Sequence, residues 1–133
     1  MSKSLIYTVN ANTQSVLDGG LVNLGTVVRR FGCNCALSGN GIIVDGVGYY
    51  DIKATATVVP SVAGTVTVTA LADGTPITGI VATETVADVD TSVTIPLSGV
   101  LRIPCCGSAS TITFEVSGVD VDMTNFAVTV EKV

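Results

Sequence analysis

The sequence predicts an all-β protein built of antiparallel strands, either a sandwich or a barrel. Apolar and polar residues alternate with a period of two through most of the chain, and Val, Thr and Ile fill these runs. Turn-forming dipeptides separate the runs at short intervals. No segment has the periodicity of an amphipathic helix. Many short strands at regular spacing favour a sandwich or barrel over a parallel α/β sheet.

The clearest strands lie in the middle and at the end of the chain. One face of the first is formed by Tyr50, Ile52, Ala54, Ala56 and Val58. The same alternation occurs in residues 65–70, 111–116 and 126–133. In the first 30 residues, we expect strands only at 5–9 and 21–28.

Six short motifs predict the turns between these strands. Asn-Gly and Asp-Gly supply the positive φ values that tight hairpins require, and Ser-Gly is a weaker signal of the same kind. The motifs are Asp18-Gly19-Gly20, Asn40-Gly41, Asp45-Gly46, Asp73-Gly74, Ser98-Gly99 and Ser117-Gly118.

The chain is predicted to be one domain over residues 1–133. Its 133 residues can bury a core, and it contains no linker, low-complexity tract or clear repeat. Residues 1–30 are less regular, and we interpret them as an N-terminal arm and a candidate docking segment.

The composition predicts self-association. Hydrophobic residues make up 47% of the chain and charged residues only 13%, about half the usual share. The mean hydropathy is +0.64. This much apolar surface favours an oligomer, although aggregation of an isolated subunit would give the same composition.

The charge distribution excludes several partners. The net charge is −5, and Arg29-Arg30 is the only basic pair, so we expect no nucleic-acid binding. The N-terminus lacks the uninterrupted apolar region of a signal peptide, and residues 54–72 alternate with threonine instead of forming a membrane span. We therefore expect no membrane partner and no directed secretion.

Catalytic motifs are absent from the sequence. The chain has no His, the commonest general base, and no nucleophile elbow, phosphate loop or dinucleotide fingerprint. Two carboxylate pairs, Asp88/Asp90 and Asp120/Asp122, were the remaining candidates for glycoside hydrolysis or weak calcium binding. In Val-Asp-Val-Asp alternation each pair would share one sheet face, and solvated side chains are the simpler interpretation. We predict no enzyme activity and no cofactor.

Four cysteines form two close pairs, Cys33/Cys35 and Cys105/Cys106. Within an extended strand, the first pair would be stretched beyond ordinary disulfide geometry and the second would point to opposite faces. A bridge would therefore join one pair to the other and close a loop of about 70 residues, worth on the order of 4 kcal/mol. A disulfide between subunits, free structural thiols and a four-thiolate zinc site remain alternatives.

Tyr49 and Tyr50 are adjacent, so alternation predicts that at least one ring is buried. An exposed pair would instead offer a platform on which a sugar stacks.

The order of several segments resembles the globular heads of complement- and tumour-necrosis-factor-like proteins, in particular their bacterial and phage branch. Gly39-Asn40-Gly41 leads into Ile42-Ile43-Val44, and Gly48-Tyr49-Tyr50-Asp51-Ile52 follows. The strand at 65–71 runs into 72–79, and the chain closes on 127–133. The resemblance implies a jelly roll of two antiparallel sheets that packs as a trimer about an apolar axis. Unlike some relatives, this sequence has no collagen-like Gly-X-Y stalk.

From this resemblance we expect a non-enzymatic structural protein of a virion: a homotrimer that decorates a phage capsid or forms a head fibre. Its partners would then be further copies of itself and capsid or fibre proteins. The alternative is a trimeric fibre tip on a cell or spore surface that binds a glycan or host receptor.

Overall fold

The computed structural model describes residues 3–88, 91–104 and 109–133, and within these ranges the chain forms strands and no helix. The strands are β1 (Leu5–Asn10), β2 (Gln14–Val16), β3 (Gly20–Leu21), β4 (Thr26–Phe31), β5 (Cys35–Ser38), β6 (Gly41–Val44), β7 (Gly48–Pro60), β8 (Gly64–Ala72), β9 (Thr75–Val86), β10 (Val93–Ile103), β11 (Ser110–Ser117) and β12 (Val121–Lys132).

These strands form two six-stranded sheets. Sheet I has the order β10-β7-β12-β1-β4, with β2 beside β12. Sheet II has the order β5-β6-β11-β8-β9, with β3 beside β11. Neighbouring strands are antiparallel throughout. The chain passes between the sheets from β10 to β11 and again from β11 to β12, so the predicted two-sheet antiparallel sandwich is confirmed.

The core lies between the two sheets and follows the predicted alternation. The five residues predicted for one face of β7 all point inward and are buried, as are Val66, Val68 and Ala70 of β8. Phe114 of sheet II packs edge-to-face on Phe126 of sheet I, with ring centroids 5.1 Å apart. Such a pair contributes about 0.5–1.5 kcal/mol beyond its buried area.

The sandwich has two ends, which position the surfaces described below. At the near end β1 begins, β12 ends, and the connections 32–34 and 45–47 turn the chain. At the far end lie the connections 17–19, 61–63 and 118–120, together with the two residues that follow β9.

One predicted turn and one predicted strand were wrong. Ser98-Gly99 is not a turn, because both residues lie inside β10. Residues 21–28 do not form one strand: β3 ends at Leu21, β4 begins at Thr26, and Gly25 between them has a φ of +81°. Val22 and Leu24 are nevertheless fully buried, which explains the strand-like pattern of that segment.

Positive charge is confined to one sheet. All six Lys and Arg residues lie in strands of sheet I or directly before β1: Lys3, Arg29, Arg30, Lys53, Arg102 and Lys132. The strand register places each of them level with Lys53 or closer to the near end. The far half of the sandwich therefore has no cationic side chain.

Candidate functional site

The outward face of sheet I is apolar along one edge. Leu5, Tyr7 and Val9 alternate outward on β1 and are only partly buried. Phe31, opposite Leu5 on β4, is 54% exposed. Aromatic and aliphatic side chains on the outward face of a sheet are typical of a contact surface.

The outward face of sheet II is polar by contrast. Threonines from neighbouring strands meet in pairs, with Thr65 Oγ1 and Thr85 Oγ1 3.3 Å apart and Thr67 Oγ1 and Thr83 Oγ1 also 3.3 Å apart. Hydroxyl groups on an exposed sheet are well solvated and need no protein partner. Sheet I therefore carries the stronger candidate interface.

The edge strand β4 extends this apolar surface. All six of its residues are exposed, although a strand of a sandwich ordinarily buries one face. Phe31 is level with the outward Leu5 and Val27 with the buried, inward Thr8, and both are exposed, so apolar side chains occur on both faces. A short strand with two exposed apolar faces and a free edge is suited to packing against another chain.

A second apolar surface lies at the opposite edge of the sandwich, where β9 of sheet II meets β10 of sheet I. Val81 points outward from β9 and Val100 outward from β10, and each is more than half exposed. Between them the Ile80 side chain is buried against Gly99. The molecule thus presents two different apolar surfaces at opposite edges.

The cysteines have unequal environments. Cys33 is exposed in the connection between β4 and β5, whereas Cys35 begins β5 and is buried, and neither is bonded to another of the described residues. Burial raises the pKa of the Cys35 thiol to about 11, although the positive charges of Arg30 and Lys132 oppose this shift. A buried, protonated thiol is a poor nucleophile and a poor metal ligand.

Cys105 and Cys106 lie outside the described residues. The strands on either side of them are paired within the sheets, Ile103 with Gly48 and Ser110 with Val44. Val44 is in turn paired with Cys35. The chain therefore leaves β10 and enters β11 at the near end, where Cys33 and Cys35 also lie. The pairing of the cysteines stays a prediction.

A hydrogen-bond network at this end was not predicted from the sequence. The Asn34 side chain accepts a bond from Ser4 Oγ at 2.8 Å, and the Asn34 amide N–H donates to the same Ser4 oxygen at 3.0 Å. The buried Tyr50 hydroxyl donates to the carbonyls of Asp45 and Gly46. Burial raises the pKa of Tyr50, and the nearby Cys35 and Asp45 act in the same direction. These hydrogen bonds hold the connection that contains Cys33 against Ser4 and the connection that contains Asp45 against Tyr50.

The two tyrosines separate as alternation predicts. Tyr50 is fully buried, and Tyr49 is exposed on the outward face of sheet I, opposite Arg102. The adjacent pair therefore does not form a two-ring platform, and only Tyr49 is available to stack on a ligand.

Three of the four candidate carboxylates, those of Asp88, Asp120 and Asp122, belong to residues that the structure describes. Asp88 follows the end of β9 in a connection, and Asp90 lies outside the described residues. Asp120 precedes β12, and its carboxylate accepts a bond from the Asp18 amide at 2.8 Å, while Asp122 is exposed within β12. The shared sheet face expected for Asp120 and Asp122 is wrong, because Asp120 belongs to a turn.

Other site types are not found in the parts of the chain that the structure describes. No group of three or more His, Cys, Asp or Glu residues there is arranged to hold a metal ion. None of the described segments forms a helix with the length and apolarity needed to cross a bilayer.

Comparisons with known proteins identify the fold. Murine APRIL superimposes with a TM-score of 0.74 at 16% identity, covering 99% of this chain and 100% of that one. The globular domain of zebrafish complement 1qA protein gives 0.69 at 10% identity, covering 96% and 94%. The PRD1 vertex protein P5 gives 0.63 at 14% identity, covering 98% and 96%. No protein-family model and no curated protein sequence matches the chain. The resemblance to tumour-necrosis-factor-like jelly rolls is therefore confirmed at the level of the fold.

Proposed function

We propose that this chain, a tumour-necrosis-factor-like jelly roll, is a non-enzymatic structural protein that assembles as a homotrimer and either decorates a phage capsid or forms a head fibre. The observation that carries the proposal is the presence of two unlike apolar surfaces at opposite edges of one sandwich. One is the outward face of sheet I around Phe31 and Leu5, and the other is the β9/β10 edge around Val81 and Val100.

Two unlike surfaces assemble in a different way from one self-complementary surface. When the first surface of one copy packs on the second surface of the next, the contact is heterologous and repeats around a ring or along a filament. A ring of three buries both surfaces on every copy and leaves none exposed. The low proportion of charged residues, 13%, is consistent with a chain that buries much of its outer surface in this way.

The charges around these surfaces are compatible with such packing. Sheet I contributes Arg29 on its β4 edge, and the opposite edge contributes the exposed Glu84 of β9. Opposite charges at the rim of an apolar contact fix its register and cost little when they stay solvated.

The particle role is supported by the fold neighbours. One of them, the PRD1 vertex protein P5, is a vertex protein. We infer that the chain is carried on a virion. Neighbouring genes for portal and major capsid proteins would agree with this role, whereas a collagen-like or sortase context would favour a fibre tip on a cell surface.

A light-scattering measurement tests the assembly. At low micromolar concentration the protein should have about three times the subunit mass of 13.5 kDa. Phe31→Asp and Val100→Asp should each yield smaller species, because each places a charge in an apolar contact. Val47→Asp is the matched control, since Val47 is 58% exposed at the near end, compared with 55% for Val100.

Mixing the two interface variants distinguishes a heterologous ring from a self-complementary dimer. Phe31→Asp retains an intact β9/β10 edge, and Val100→Asp retains an intact sheet I face. In the mixture the intact edge of Phe31→Asp can still pack on the intact sheet I face of Val100→Asp, but no second contact can form. The mixture should therefore contain one-to-one dimers and no trimers. A wild-type protein that stays monomeric with a native circular dichroism spectrum would disprove the assembly.

A further inference from the structure

Three connections at the far end are joined to one another by hydrogen bonds. The Asp18 amide donates to the Asp120 carboxylate at 2.8 Å, and the Gly118 amide donates to the Asp18 carboxylate at 2.9 Å. The Ser61 amide and Ser61 Oγ both donate to the Asp120 carbonyl, each at 3.0 Å. These bonds join the connections 17–19, 61–63 and 118–120 into one preorganised surface, which we call the far tip.

The far tip exposes large apolar side chains. Leu17, directly before Asp18, is 62% exposed, and Val62, directly after Ser61, is 53% exposed. Because the neighbouring residues are held by hydrogen bonds, Leu17 and Val62 have little freedom to fold back onto the core. Exposed apolar side chains on fastened loops, surrounded by polar residues, are characteristic of a protein–protein contact.

The charges around Leu17 and Val62 are of one sign. Asp18, Asp88 and Asp120 lie in the connections of this end and are exposed. Gly64 is paired with Val86, so the residues around Val62 and Asp88 leave the sheet side by side. Since every Lys and Arg lies in the other half of the sandwich, these carboxylates have no cationic neighbour in their own chain.

We propose that the far tip binds a basic protein surface, on which Lys or Arg side chains surround an exposed apolar residue. The apolar centre would supply the buried contact, and the carboxylate rim would select a cationic partner and speed its association. This inference goes beyond the proposed function, because the surfaces used for the trimer lie on the flanks of the sandwich and leave its end free.

Other occupants fit the far tip less well. A sugar is ordinarily held by stacking on an aromatic ring, and the residues of the connections 17–19, 61–63 and 118–120 include no aromatic side chain. A second copy would have to bring its near end, where Asp45 and Glu131 are interspersed among the basic residues, and each copy has a net charge of −5. A separate basic partner avoids this repulsion.

The test uses two labelled peptides and the full chain. One peptide alternates Lys with Leu, and the other alternates Lys with Ser. The far-tip variant combines Val62→Ser in the far tip with Asp88→Asn in the acidic rim beside it. The control is Val47→Ser with Asp45→Asn, which makes the same two chemical changes at the near end. Fluorescence anisotropy gives the affinity of each pair, and light scattering on the same samples shows whether the oligomer is unchanged.

We expect the Lys/Leu peptide to bind the wild type and the control equally, and the far-tip variant at least tenfold more weakly. We also expect weaker binding at higher salt, as for opposite charges at an exposed contact. Equal loss in both variants, equal binding of the Lys/Ser peptide, or no binding would each overturn the inference. If the protein were monomeric and still bound the Lys/Leu peptide in preference to the Lys/Ser peptide, the proposed trimer would be wrong and the far-tip inference would stand.

Discussion

The Ile80 side chain occupies the space beside Gly99 that a Cβ atom at position 99 would need. Ile80 belongs to β9 in sheet II and Gly99 to β10 in sheet I, so this contact joins the two sheets at an open edge. The missing side chain at position 99 lets Ile80 reach full burial. The glycine is thus required by packing and not by backbone conformation.

The first prediction is that Gly99→Ala destabilises the protein by about 1–3 kcal/mol, because an added methyl group overpacks this contact. Ser98→Ala, at the exposed neighbouring position, should change the free energy of unfolding by less than about 0.5 kcal/mol. Urea denaturation measures both. In a double-mutant cycle, Ile80→Ala should cancel most of the cost of Gly99→Ala. A Gly99→Ala variant as stable as wild type would show that the edge is loosely packed.

The second prediction concerns Thr8, whose hydroxyl is fully buried and has no hydrogen-bond partner in the described residues. Burying an unpaired hydroxyl costs about 1–3 kcal/mol, so Thr8→Val should raise the free energy of unfolding by about 1 kcal/mol. Thr8→Ser retains the hydroxyl and removes a methyl group, and it should be destabilising. If Thr8→Val were less stable than Thr8→Ser, the Thr8 hydroxyl would have to form a hydrogen bond, contrary to this prediction.

The third prediction is that the two described thiols react at very different rates. Iodoacetamide should modify the exposed Cys33 rapidly at pH 8 and Cys35 only on unfolding, as measured by mass spectrometry of the digested protein. Comparable rates for both in the native protein would contradict the burial of Cys35.

The raised pKa of Cys35 also gives a pH dependence. In the folded protein this thiol holds its proton up to about pH 11, whereas its ordinary pKa is 9.0. Its contribution to stability is therefore fully present below pH 9 and is lost as the pH rises towards 11. Thermal unfolding of Cys35→Ala should show a shallower decline over this interval. The raised pKa of Tyr50 acts in the same direction and remains in the variant.

The fourth prediction is that oxidation links Cys33 or Cys35 to Cys105 or Cys106. Cys33 and Cys35 lie at the near end, where β10 ends opposite Gly48 and β11 begins opposite Val44, so the described strands on either side of residues 105–108 support this expectation. With a disulfide reagent such as oxidised glutathione as the electron acceptor, two thiols lose two protons and two electrons as the S–S bond forms. Non-reducing digestion should yield the linked peptides, and reduction should lower the melting temperature. If all four thiols could still be alkylated after oxidation and no zinc were bound, the prediction would be wrong and the cysteines would be small apolar side chains that form neither a disulfide nor a metal site.

The fifth prediction is that the protein hydrolyses neither glycosides nor esters. Asp120 is engaged by the Asp18 amide, and Asp88 lies in an exposed connection. A broad substrate panel measures this. Turnover that Asp88→Asn or Asp120→Asn abolishes would establish an active site at the far end.

Periodicity was enough to predict an all-β fold and the buried faces of β7, β8, β11 and β12. The alternation from Tyr50 to Val58 gave the buried face of β7 because a strand in a sandwich exposes its two faces to different surroundings. The Ser98-Gly99 motif was wrongly predicted to be a turn, because glycine occurs both in turns and where side chains pack closely against the backbone. Only the position of Ile80 in the structure distinguishes the two cases.

The candidate surfaces depend on contacts between distant residues and were harder to predict. Asp18 and Asp120 are 102 residues apart in the chain, and no spacing motif connects them. The exposure of both faces of β4 follows from its place at the edge of sheet I, which is a property of the strand order and not of the residues Thr26–Phe31 themselves.

The confinement of positive charge to sheet I has a practical consequence for chemical attachment. Lys3, Lys53 and Lys132 are the only lysines, and all three lie in the near half of the molecule. A reagent that couples lysine amines to a bead or sensor chip would therefore immobilise the protein with its far tip directed away from the support. The same distribution affects digestion by trypsin, because the chain has no Lys or Arg from residue 54 to residue 101. Cleavage of the unfolded chain would therefore release most of sheet II in two long peptides, 54–102 and 103–132.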